Sequence, residues 1–123
     1  MTLWPRLLIV IAGLYGAGGV ALAAVSAHLT GGASLAIAAN FLLFHAAALV
    51  ALAAVAGQVA HMRAVLLVGA SALALGALLF SGDLTLRALM EIKLLGGSAP
   101  FGGMLMIAGW LVVGASALFG RRA

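Results

Sequence analysis

Six side chains in this chain could do chemistry: His28, Asn40, His45, Ser81, Asp83 and Arg87. An imidazole can ligate haem iron or pass a proton, and a carboxylate beside a guanidinium can hold a polar ligand. All six lie inside or at the edge of long apolar runs, where an ionisable group is costly and marks a candidate site. At 1.5 Å per residue, His45 falls about 16 Å along its run, near mid-membrane. His28 ends its own run about 15 Å away along the membrane normal, so the pair is poorly placed to hold one haem from opposite faces. Asn40 lies about 140° around the helix from His45, so both cannot face one bundle centre. Asp83, Arg87 and Glu91 are spaced i, i+4, i+8 with alternating sign, and such groups pair along a helical face.

Each candidate also has a purely structural reading. A neutral histidine can hydrogen-bond a neighbouring helix, and an interfacial Asp83–Arg87 pair is worth about 0–1 kcal/mol. Trp110 is mid-span on a face shared with Gly103, Gly114 and Ala117; its indole N–H needs a partner within the bundle. Cysteine is absent, which excludes disulfides, thiolate metal sites, iron–sulfur clusters and covalent c-type haem. Gly18-Gly19 and Gly102-Gly103 fit no phosphate loop. There is no nucleophile elbow, no metal-ligand cluster and no mid-span carboxylate such as a proton-coupled exporter would use. The expectation is a non-enzyme with no cofactor and no metal.

The elements that position these residues follow from charge placement. Six basic and two acidic residues serve 123 positions, 67% of which are hydrophobic, and mean hydropathy is +1.34. The charges fall where four uncharged runs begin or end, and each run is about the 20 residues a membrane helix needs. The spans are expected at about 7–27, 34–58, 64–82 and 100–120, making residues 1–123 a single transmembrane helical domain. Unpaired backbone groups in lipid cost several kcal/mol each, so an all-α four-helix bundle is predicted. The sequence pI near 11.4 reflects basic residues at span ends rather than a nucleic-acid surface. The run after Arg6 is longer than a signal-peptide core, which predicts a retained first helix.

Arg6, Arg63, Arg121 and Arg122 share one side, against Arg87 and Lys93 on the other. Both termini are therefore expected to be cytoplasmic, with Trp4 and Phe119 as interfacial anchors, in a bacterial inner membrane. Leu84 to Leu95 reads as a short amphipathic helix that leaves the third span near Gly82-Asp83 and lies in the outer interface. His28, on a stripe with Ala17, Ala21 and Ala24, is expected to face the Ser81–Asp83 end of the third span. His45 is expected to be neutral with one intramembrane partner. Small residues four apart (Ala12 and Gly16, Gly19 and Ala23, Ala70 and Ala74, Ala72 and Gly76) suit close helix packing.

Four blocks, in order, carry a family resemblance: Ala27-His28, Phe44-His45, Phe80-Ser81-Gly82 followed by Leu84, and Pro100-Phe101-Gly102-Gly103 with Gly109-Trp110. Through them most of the chain resembles the YgdD/YwdK-type family of small membrane proteins (domain of unknown function, family 423). Leu42 stands where that family tends to have Gln, Ser26 where it has Gly, Ala99 where it has Thr and Asp83 where it has Ser. The resemblance implies a four-helix inner-membrane protein and carries over no functional residues. The leading functional expectation is a non-enzymatic membrane protein acting through contacts with lipid, with itself as a homo-oligomer, or with a membrane-protein partner. The alternative is a small-molecule or lipid binder or transporter using the outer-half polar residues, and a haem or quinone redox protein is third.

Overall fold

A computed structural model describes residues 1–30 and 32–119. Four helices account for most of them: α1 (Leu3–His28), α2 (Gly32–Ala56), α3 (Arg63–Met90) and α4 (Ala99–Ser116). One-turn 3₁₀ segments follow α3 at Leu94–Gly96 and α4 at Ala117–Phe119. All four helices are long and apolar enough to cross a membrane, and no strand occurs among the described residues. The end of the bundle carrying Leu3, the α2–α3 link and Phe119 is called proximal below; the end carrying the other two links is distal. Gly31, Gly120, Arg121 and Arg122, which enter the expected links and the charge count, lie outside the described residues.

Pro5 sits in the first turn of α1, where no intrahelical N–H is required. The distal end of α1 closes with the Leu29 and Thr30 N–H groups donating to Val25 O at 2.8 and 3.0 Å. Gly32, at φ +53°, then turns the chain into α2, a backbone shape that favours glycine.

α3 is the longest helix and departs from expectation. It does not leave its axis near Gly82-Asp83; it continues as one helix through Met90, so Leu84–Leu95 is not a separate amphipathic helix. The reason lies in its polar residues, because Ser81 and Asp83 are buried, 1% and 0% exposed. Asp83 reaches its partners Arg87, Leu94 and Ala99 only if the helix continues past Gly82. The helix instead stops at Glu91, whose left-handed backbone (φ 56°) returns its N–H to Arg87 O at 3.2 Å. The chain then winds back through Leu95, Gly96 and Gly97, all at positive φ, into α4. Glu91 thus serves as the α3 terminus and not as a third member of the Asp83–Arg87 row.

α1 packs on α2, α2 on α3 and α3 on α4, with a lighter α1–α3 contact. The central core holds Leu8, Leu49, Leu52, Leu66, Leu73 and Met106. The tightest seam joins α3 and α4 through two glycine pairs, each seven residues apart. A Cβ placed on Gly76 would lie 2.9 Å from Gly102 O, and one on Gly109 would lie 3.1 Å from Gly69 O. Missing side chains let the two backbones touch, the usual means of close helix association where lipid is as apolar as the core.

Candidate functional site

The six candidate residues do not form one site; they divide among four places. At the distal end, Asp83 joins α3 to the link and to α4. Its Oδ1 accepts from Arg87 Nε at 3.0 Å and from Leu94 N at 3.0 Å, and its Oδ2 accepts from Ala99 N at 2.9 Å. Ala99 is the first residue of α4, and the preceding Ser98 makes no side-chain cap. The α4 N-terminus is therefore capped from another helix by a full negative charge, which the helix dipole favours. Ser98 turns its hydroxyl the other way and donates to Leu79 O at 2.8 Å. The Arg87 side chain is 40% exposed while that of Asp83 is 0% exposed, so Arg87 covers the buried carboxylate from the rim.

Ser81, two residues earlier and about half a turn around α3, donates to Ala38 O of α2 at 2.9 Å. α2 therefore occupies the face of α3 that had been expected to meet His28. His28 ends α1 exposed and with no side-chain hydrogen bond among the described residues, so the expected His28–Ser81–Asp83 site does not form. α1 reaches α3 nearer the proximal end instead, where Tyr15 OH donates to Ala74 O. Trp4 Nε1 donates to Ser71 Oγ at 2.7 Å, and the Ser71 hydroxyl in turn donates to Leu67 O at 2.7 Å. Arg63 also donates to Thr2 Oγ1 across the proximal end.

Mid-bundle, His45 is 3% exposed and bonded at both ring nitrogens. Its Nδ1 lies 2.7 Å from Phe41 O, and Trp110 Nε1 of α4 donates to its Nε2 at 3.2 Å. Indole can only donate and a carbonyl can only accept, so these bonds together select the neutral Nδ1–H tautomer. The histidine thus has a bundle partner, Trp110, and a second bond to its own helix. Phe41 stacks on His45 with centroids 6.0 Å apart and meets Phe80 at 4.7 Å. These rings, with Gly103, Met106 and Trp110, line a cleft of about 260 Å³ between α2 and α4. The Nε2 lone pair a haem iron would take is the one Trp110 occupies. Asn40 lies on the opposite face of α2, exposed and with no hydrogen-bond partner among the described residues.

Sequence reasoning missed Tyr15, Ser71, Ser98 and Thr2. The available signal was a hydroxyl stranded in or beside an apolar span, which must find a partner in the fold. Thr85 Oγ1 is a buried side-chain polar atom without one among the described residues.

Comparison with known proteins adds a family but no activity. A family model described as a protein of unknown function (DUF423) matches residues 13–103. A UPF0382 membrane protein of Staphylococcus haemolyticus is 51% identical over 39 residues, 32% of each chain. Another from Staphylococcus epidermidis is 47% identical over 38 residues, 31% of each. The chain thus spans about a third of the length of these relatives. No solved structure matches.

Proposed function

The chain belongs to the DUF423 family of proteins of unknown function, and we propose that it is a non-enzymatic protein of the bacterial inner membrane working through helix, partner or lipid contacts. The observation that supports this is the use made of its buried polar groups. Asp83, Ser81, Ser98 and His45 are each committed to joining one segment of the bundle to another, His45 by accepting from the indole of the half-exposed Trp110. A residue kept for proton transfer or ligation needs an accessible lone pair or proton, whereas these spend theirs on assembly. Native mass spectrometry of the gently extracted protein tests the reading. Retention of lipid, a partner protein or a second copy is expected; retention of a haem, with its Soret band, or of a turned-over small molecule would overturn it.

In the same reading both termini lie in the cytoplasm, supported by the order of basic residues in the sequence, four (Arg6, Arg63, Arg121 and Arg122) assigned to the side of the termini against two (Arg87 and Lys93) to the other. A periplasm-active reporter fused after Ala123 is expected to be inactive, and one inserted at Gly31-Gly32 active. The reverse pattern would invert the assignment.

A further inference from the structure

Asn40 has no use in the isolated chain. α2 is 25 residues long, about 37 Å at 1.5 Å per residue, and Asn40 lies about 6 Å from its midpoint. With a hydrocarbon core about 30 Å thick, its carboxamide sits well inside the apolar phase. There it faces outward and makes no hydrogen bond among the described residues. Lipid tails offer neither donor nor acceptor, and an unpaired amide in such a medium is costly. The other exposed polar side chains of the described helices, among them Arg6, His28, Ser34 and Arg87, cluster toward helix ends, where water and headgroups are in reach.

The surface around Asn40 has the form of a helix-pairing seam. Ile37, Asn40, Phe44, Ala47, Ala51 and Ala54 alternate at spacings of three and four, and all are exposed. A 3.5-residue repeat is the pattern of left-handed helix pairs, and three alanines in the proximal half allow close backbone approach. We propose that this face of α2 binds a second copy of the chain, with Asn40 paired to Asn40 near the dimer axis. Two features select an identical partner over a foreign one. A carboxamide is donor and acceptor at once, so two of them related by a two-fold axis satisfy each other reciprocally. A second copy in the same membrane orientation also carries its Asn40 at the same depth. This deepens the contact function above by naming one partner, and it can fail alone: a foreign protein retained in native mass spectrometry would leave that function standing.

Because the chain has no cysteine, single cysteines report proximity without background. In vesicles of phosphatidylethanolamine and phosphatidylglycerol, Ala47→Cys is expected to form a disulfide-linked dimer on mild oxidation. Val20→Cys on the exposed face of α1 and Leu111→Cys on that of α4 should remain monomeric. Asn40→Ala should weaken dimer association, measured by energy transfer between labelled copies, by about 3- to 30-fold, the worth of interhelical hydrogen bonds in membranes. The melting temperature of the detergent-solubilised monomer should not change. Equal cross-linking at all three positions, unchanged association of Asn40→Ala, or a fall in monomer melting would each overturn the proposal. In native membranes, an Ala47→Cys adduct of foreign mass in place of the dimer would do the same.

Discussion

Asp83→Ala is expected to destabilise the protein by about 3–5 kcal/mol, measured by unfolding in mixed micelles. The carboxylate accepts three hydrogen bonds while fully buried. Alanine would leave the Leu94 and Ala99 N–H groups without an acceptor, at about 1–3 kcal/mol each, and remove the charge facing the α4 N-terminus. Arg87→Ala should cost less, about 1 kcal/mol, because the guanidinium is 40% exposed and water screens the pair. Both backbone donors also remain on the carboxylate. Asp83→Asn should fall between them, since one acceptor oxygen survives while its NH₂ confronts a backbone N–H. A loss of under about 1 kcal/mol for Asp83→Ala would mean that Asp83 does not hold the distal end together.

Gly102→Ala should be comparably severe, at about 3 kcal/mol, the upper part of the usual overpacking range. A Cβ there would stand 2.5 Å from Phe80 N and 2.6 Å from Gly76 O, both backbone atoms of α3. Flexible side chains could yield; a helix backbone can only move away as a whole, which opens the α3–α4 seam. Gly13 and Gly114 are internal controls, since a Cβ at either meets nothing within 4 Å. Alanine at those positions should leave stability unchanged or raise it by up to about 1 kcal/mol through helix propensity. Similar losses at Gly102 and Gly13 would show that glycine acts through the unfolded chain rather than through the seam.

Four membrane helices were legible in the residue order because uncharged apolar runs of spanning length have few other stable forms. The expected runs lie within or close to α1–α4, and the opposite facing of His45 and Asn40 was readable from their angular separation alone. Which of the two turns inward was not. In a soluble helix the polar face declares the outside, but here lipid and core are equally apolar, so hydropathy carries no facing signal. Packing decided it: the glycine pairs of α3 and α4 brought Trp110 to His45 and left Asn40 outside. The same limit explains the misplaced partner of His28, since only the order of helices in space puts α2 between the distal ends of α1 and α3. Asp83 and Arg87 were readable as an i, i+4 pair. That the carboxylate also caps α4 depended on a link wound back through Leu95, Gly96 and Gly97 at positive φ. Composition and length thus determined the membrane and the number of crossings. The tertiary structure decided what each polar group touches, because in an apolar solvent such a group must take whichever partner the packed helices bring within reach.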